Sequence, residues 1–396
     1  MTHDDPRTTR RAAADLALGL FVVPLHFPER PLADCWDDDL EMLVEADRLG
    51  FSEAWIGEHY CIRWENMPAP ELLIAKALAL TSRIRLGSGV HVVGYHHPAI
   101  LAHKIAALDH LSRGRFMFGI GPGGTPSDFE MMGLEMKGAE SRERMVEAID
   151  MITALWDATE PSTREGRFWT LTVPAPNPKM SWQYHIRPYQ APHPPIAVAG
   201  TSPRSQTLRW GAARGYLPLS FFDLNVEILR SHRDVIAEGA REGGSAVAYR
   251  DWRIARVVYV AETDDEARRH VLESSMPRAF REYFRRVFFL VGGLGAVKHD
   301  PEVPDAAVDV GYMLDNAWIV GGPETVARRL EALYREVGGF GTLLVAHFDT
   351  HPHPERFLRS LALLREEVLP RLRLEGAAPP HAEAAAPTQP AGGTRA

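Results

Sequence analysis

Cysteine is scarce: Cys35 and Cys61 are the only 2 in a chain of 396 residues. That is too few for a disulfide scaffold, and the pair lacks metal-ligand spacing, so Cys61 reads as a half-buried bystander. Long apolar runs are missing too. No window approaches the ~18 uninterrupted apolar residues that a membrane helix needs, so no membrane is expected as a partner. The stretch after the charged start MTHDDPRTTRR is too short and mixed for a secretory leader, which makes the cytoplasm the default location. Basic charge is nowhere concentrated. Against 52 Asp and Glu stand 44 Lys and Arg, a formal net charge of −8 without a basic stripe, which argues against nucleic acid. The glycine fingerprint of a dinucleotide fold is absent from the first strand–helix turn, where Leu25-His26-Phe27-Pro28 stands.

What the chain does contain is apolar runs of strand length alternating with helical spacing. Leu18–Leu25, Ala54–Tyr60, Ile84–Val93, Arg115–Gly121, Ile196–Ala199, Tyr216–Phe221, Ile254–Ala261 and Thr342–His347 read as strands buried on both faces. Helices fall between them, such as the one with Leu40, Leu43 and Val44 on a stripe and Gly50 at its end. Ser202-Pro203 opens another. A ninth run, Ala317–Val320, is the weakest strand candidate and is set aside. Eight strands close a (β/α)8 TIM barrel, the α/β class preferred here over a doubly wound open sheet.

The alternation is interrupted after strand 4 and again in the last third. Ala158–Pro195 is rich in proline and carries Phe168, Trp169, Trp182, Tyr184 and Tyr189, so it reads as an ordered flap. Phe288–Gly311 is glycine-rich and irregular. Residues 1–16 read as a loose lead-in, 17–374 as the barrel, and 375–396 as a disordered Ala/Pro tail.

Barrel chemistry sits at strand C-termini. The second strand ends in Glu58, His59 and Tyr60, and an imidazole beside a carboxylate can work as an acid or base near neutral pH. A merely solvated Glu58 beside a structural histidine is an equally good reading of the local sequence. Gly87, Ser88, Gly89 and Val90 at the third strand are small enough for a flat ligand to approach. Gly119, Gly121, Gly123 and Gly124 follow the fourth strand, and Gly200, Thr201 and Ser202 the fifth. The last group can bind an anion or simply cap the helix that Pro203 opens, because both use the same groups. His347, Asp349, His351 and His353 resemble a metal cluster, but their spacing fits no known ligand pattern, and no metal is expected.

Taken together these segments resemble the bacterial luciferase-like family of flavin-dependent monooxygenases, closest to the limonene-type subgroup. The most specific block is Arg83–Gly123, in which LDHLSRGR joins a His-Pro helix to a strand and a glycine turn. WIGEHY, IAVAGTSP and VGGPETVARRL add to it. The resemblance implies a two-component enzyme that takes FMNH2 from a separate flavin reductase. With O2 it would form a C4a-(hydro)peroxyflavin and oxygenate a small or medium apolar substrate by hydroxylation, epoxidation or Baeyer–Villiger insertion. It also implies a homodimer. It makes His59 the catalytic histidine, with Glu58 beside it. FMN would be held by Ser88, Gly89 and Val90, often through a non-proline cis peptide, and by Gly121, Gly123, Gly200, Thr201 and Ser202. An arginine that some members place after the fourth strand is replaced by Pro122, which leaves Arg204 as a candidate for phosphate charge. The aromatic insertion and Phe288–Gly311 would be lids. The alternatives are a deazaflavin-dependent hydride-transfer enzyme and a non-catalytic flavin-binding partner subunit.

Overall fold

The structure, a computed structural model, describes residues 16–135, 139–181, 185–221, 223–290 and 294–374. The lead-in up to residue 15, the Ala/Pro tail, Trp182 and Tyr184 lie outside the described residues. The main strands are β1 (Ala17–Val22), β2 (Glu53–Ile56), β3 (Arg85–Ser88), β4 (Phe116–Gly121), β5 (Ile196–Gly200), β6 (Leu217–Ser220), β7 (Arg253–Arg256) and β8 (Thr342–His347). They run parallel and neighbour one another in chain order. β1 pairs with both β2 and β8, and β3 with β4, so the sheet closes and no main strand is left as an edge.

Both faces of the strands are largely apolar, because one packs under the helices and the other fills the barrel. Leu18, Leu20 and Val22 of β1 pack under the helices, while Phe21 joins Trp55, Met117, Leu219 and Leu344 inside the barrel. Trp55 is fully buried and donates its Nε1–H to Glu53 Oε1 at 2.9 Å. Glu53 in turn holds Arg253 across the barrel at 3.0 and 3.1 Å. Gly87 of β3 makes room for this indole: a Cβ there would stand 2.7 Å from the Trp55 ring. Gly87 therefore serves the barrel core, which corrects its reading as a ligand-facing residue.

The helices lie outside: α1 (Leu32–Leu49), α2 (Pro70–Leu80), α3 (Pro98–Ser112), α4 (Glu140–Asp157), α5 (Gln206–Ala213), α6 (Val226–Gly243), α7 (Pro323–Val337) and α8 (Pro354–Leu363). Gly50 ends α1 in the left-handed region at φ 80° and donates back to the helix, as its position in the sequence suggested. Val44 is exposed, so the buried stripe of α1 is instead Leu40, Met42, Leu43 and Ala46.

The aromatic insertion is not a lid. It follows a helix and precedes a strand, so it lies at the N-terminal end of the barrel. Its hairpin, Ser162–Glu165 with Thr170–Val173, is pinned by Glu147 of α4, which accepts from the N–H of Arg167, Phe168 and Trp169. Gln190 then reaches Asp109 and the carbonyl of Phe116 at the start of β4. The expectation that 158–195 shields a site at the other end is thus overturned.

The second insertion, between β7 and α7, follows a strand and lies on the C-terminal side. The run expected as one strand over Ile254–Ala261 breaks at Val257, whose N–H goes to Asp223 Oδ1 at 3.3 Å. Its second half, Val258–Val260, pairs with Ile319–Gly321 in a small separate sheet. The strand candidate set aside in the sequence is real and belongs there. Asn225 N–H bonds to Ala296 O at 2.7 Å, and Tyr283 stacks on Trp64 at 5.8 Å, which fixes this insertion over the strand ends.

Candidate active site

β2 stops at Ile56, and the chain after it loops across the barrel mouth. His59 is tied to that loop by its N–H to Met67 O at 3.0 Å. Its ring lies between two carboxylates, with Nε2 at 3.3 Å from Glu65 and Nδ1 at 3.5 Å from Asp128. Thr125 Oγ1 is also 3.4 Å from Nδ1. Burial would lower the His59 pKa, but the Asp128 bond and the charges of Glu65 and Asp128 outweigh it and raise the value above 6.5. With a carboxylate at each nitrogen, the site favours the protonated form of the ring. Although it lies deep in the mouth, 29% of the side-chain surface stays open.

Asp128, itself buried, is well prepared for this role. It accepts from Cys61 N–H at 2.7 Å and Tyr60 N–H at 3.3 Å. Burial raises its pKa, yet the bonds from His59 and Cys61 prevail and hold it below the usual carboxylate value. Glu65 is shared with Tyr283 of the second insertion, whose phenol is pushed far up by burial and by the Glu65 charge. The insertion therefore reaches the histidine clamp through one hydrogen bond.

Glu58, expected beside His59, faces elsewhere. It accepts from Val92 N–H at 2.6 Å, Tyr60 O–H at 2.7 Å and His96 Nε2 at 2.9 Å. Burial raises its pKa, but the His96 bond and the nearby imidazoles outweigh this and keep it ionised. The carboxylate thus pins the segment after β3 to the end of β2. That segment contains the Gly89-Val90 bond, which is cis. Val90 is half-buried and stands against Gly121, where a Cβ would come within 2.5 Å of Val90 Cγ2.

Ser88 departs from expectation. It is fully buried, donates to Gly119 O at 2.9 Å and accepts from Gly119 N–H at 3.1 Å, so its hydroxyl seams β3 to β4. Gly89 offers little room on its side-chain side, since a Cβ there would meet Trp55 Cβ at 2.8 Å. Gly123 sits at φ 81° beside Val92, Tyr95 and Phe129. At Gly124 a Cβ would meet nothing within 4 Å.

At the end of β5, Gly200 packs closely on Leu208, while Thr201 and Ser202 are exposed. The helix starts later than the sequence suggested. Ser205 is the N-cap, with its Oγ accepting from Leu208 N–H at 3.3 Å, so Ser202 caps nothing. Arg204 holds Glu238 at 2.9 and 3.0 Å and lies on the surface, so its guanidinium is already engaged. Near the barrel mouth, Asp349 takes Arg30 Nη1 at 2.6 Å and sits 3.9 Å from His26, which also meets Asp39 at 3.2 Å. Burial lowers the His26 pKa, but these two acids carry it up to about 12. Asp349 is thus part of an ion-pair network, and no group of metal-ligating side chains occurs among the described residues.

With this geometry in view, the luciferase-like monooxygenase family model matches residues 8–339. The chain belongs to that family. It is 31% identical over 366 residues to 2,5-diketocamphane 1,2-monooxygenase 1 of Pseudomonas putida, covering 90% of this chain and 99% of the relative. Limonene 1,2-monooxygenase of Rhodococcus erythropolis is 32% identical, over 89% of this chain and 85% of its own length. Among solved structures, the oxygenating constituent of 3,6-diketocamphane monooxygenase from Pseudomonas putida, a type II Baeyer–Villiger enzyme in complex with FMN, superposes with a TM-score of 0.85. It is 30% identical and covers 90% of this chain and 99% of its own. The family expectation and the (β/α)8 barrel are both borne out.

Sequence reasoning reached His59 but missed Asp128, Glu65 and His96. Asp128 was available as a signal, since it follows the fourth strand closely in GTPSDFEM. Loops after strands carry barrel function, and an acid there merits the same attention as a histidine.

Proposed function

We propose that this protein is the oxygenase component of a two-component, FMN-dependent monooxygenase acting on a small or medium apolar ketone by Baeyer–Villiger insertion. The observation that carries the reading is His59, held between the carboxylates of Asp128 and Glu65 on the barrel rim beside the β3–β5 ends. Relatives that match nearly end to end and oxidise diketocamphanes support the reaction type. A separate reductase would supply FMNH2.

The residues present fit such a cofactor. Val90 is half-buried against Gly121, Gly124 borders open space, and Thr201 and Ser202 expose hydroxyls at the end of β5. Hydroxyls and peptide N–H groups suit a phosphate, and Val90 with Gly121 and Gly123 suits a planar ring. When bound, reduced FMN supplies the electrons that activate O2. His59 supplies a fixed positive charge. As a ketone carbon is attacked, its oxygen gains negative charge, and a preorganised imidazolium is well suited to stabilise it. The contacts at both ring nitrogens are long, 3.3 and 3.5 Å, so an N–H can turn toward that oxygen. Glu58 keeps the Gly89–Val92 segment in place without touching the reacting atoms. Tyr283 and Trp64, stacked over the mouth, would help exclude water.

The test mixes the protein anaerobically with FMNH2 and a cyclic terpene ketone, then admits 18O-labelled O2. A lactone carrying one labelled oxygen atom is expected. Release of all the oxygen as hydrogen peroxide, across both cyclic ketones and cyclic alkenes, would sink the proposal. A homodimer is part of the same reading. Leu72 on α2, with Ile100 and Leu111 on α3, are large apolar side chains left exposed on one side of the barrel, the kind of patch a second copy can cover.

A further inference from the structure

His232 is fully buried, ionisable and remote from the His59 clamp, and its hydrogen bonds lead to one place. Trp252 Nε1–H donates to Ser220 Oγ at 2.8 Å, and Ser220 Oγ is 2.8 Å from His232 Nδ1. His232 Nε2 is 2.8 Å from the carbonyl oxygen of Ser202. A carbonyl can only accept, so Nε2 carries a proton. Burial pushes the His232 pKa down to about 4, which leaves the ring neutral at pH 7, so Nδ1 accepts and Ser220 donates to it while receiving from the indole. Trp252, Ser220 and His232 are all fully buried, yet the chain ends on an exposed turn.

That turn is held by α6 at further points. Ser231, next to His232, accepts from Arg204 N–H at 2.9 Å, and Glu238 holds the Arg204 side chain. Arg204 itself is in the left-handed region at φ 47°. A buried, one-directional chain of donors is more than an exposed turn needs, because water could satisfy the Ser202 carbonyl. What it adds is a fixed orientation for the Ser202–Pro203 peptide and so for the groups of Thr201 and Ser202 ahead of it.

We infer that His232 is a positioning residue that, through the Trp252–Ser220–His232–Ser202 chain, holds the turn after β5 in shape to receive the phosphate of the flavin. The inference rests on the FMN reading above. It also explains how this turn can work with Arg204 drawn off to Glu238: fixed neutral donors take over part of the work of a mobile charge.

The experiment compares His232→Asn with His232→Gln. Asn can keep the bond to Ser220 but is too short to reach Ser202, whereas Gln places an amide N–H near the Nε2 position. Dissociation constants for reduced FMN and reduced riboflavin are measured anaerobically by tryptophan fluorescence. His232→Asn should weaken FMN about 10-fold and leave riboflavin within about 2-fold, since riboflavin lacks the phosphate. His232→Gln should restore FMN affinity to within about 3-fold of the parent. Ser220→Ala, which leaves the turn untouched, should give a smaller loss of the same phosphate-specific kind should His232→Asn not fold. An unchanged FMN affinity in a folded His232→Asn protein would overturn the inference, as would equal losses for FMN and riboflavin. If the parent protein itself binds neither flavin, the proposed function fails first and the inference falls with it.

Discussion

Replacing Asp128 with Asn tests the charge clamp on His59. The change preserves size, and the amide oxygen can still accept from Cys61 N–H at 2.7 Å, but one of two negative charges beside the ring is lost. Burial alone would lower the His59 pKa, so its raised value depends on Asp128 and Glu65. An opposite charge at this range is typically worth ~1–3 pKa units. Because 29% of the His59 side chain is open to solvent, we take the low end: a fall of about 1 unit, or about 1.4 kcal/mol. The sign follows from linkage. A histidine whose folded pKa is raised contributes stability that is complete below its unfolded pKa of about 6.5 and disappears as pH rises through the folded value. If the imidazolium is the working form, kcat/KM should decline on the alkaline side at that folded pKa. Asp128→Asn should move this limb about 1 unit toward lower pH and reduce product yield per FMNH2 at neutral pH. The assay is lactone formation across a range of about pH 5 to 9, with peroxide release measured in parallel. A limb that stays in place, or moves to higher pH, would remove the Asp128–His59 pair from the mechanism.

Two other perturbations probe the frame and the assembly. Arg253→Met leaves Glu53 buried and unpaired beside Trp55, and should cost about 3–5 kcal/mol in urea unfolding; a loss under about 1 kcal/mol would mean that water reaches the barrel floor. Leu111→Glu on α3 places a charge where 71% of the leucine is exposed, so the fold should be untouched while a dimer dissociates in size-exclusion chromatography. A parent protein that already elutes as a monomer would refute the proposed dimer.

The barrel was legible because a strand buried on both faces leaves an uninterrupted apolar run, and eight such runs alternate with stretches of helical spacing. Its irregularities were less so. Nothing in VVYVA signals that Asp223, distant in sequence, takes the Val257 N–H and divides the run into a barrel strand and a strand of another sheet. The start of α5 was misplaced because Ser202-Pro203 and Ser205 both look like helix openings, and only the Oγ contact to Leu208 N–H distinguishes them. The aromatic insertion, by contrast, could have been placed. In an alternating chain every loop from helix to strand lies at the N-terminal end, so 158–195 could never have covered strand C-termini, however aromatic its composition.

The same kind of geometric rule governs Glu58 and His59. Glu58 and His59 are adjacent, and adjacency in an extended segment separates side chains, because consecutive residues point to opposite sides. Glu58 accordingly turns to Val92, Tyr60 and His96, and His59 turns to Asp128 and Glu65. A carboxylate that faces a strand-end histidine must therefore come from another loop, or from farther along the same one. This barrel uses both: Asp128 from the short helix Pro126–Met131 that follows β4, and Glu65 from beyond the turn at Ile62, whose carbonyl accepts the Glu65 N–H. The two acids arrive from opposite sides of the ring, and each favours its protonated form. For a reaction that builds negative charge on a carbonyl oxygen, that protonation decides which way the histidine works.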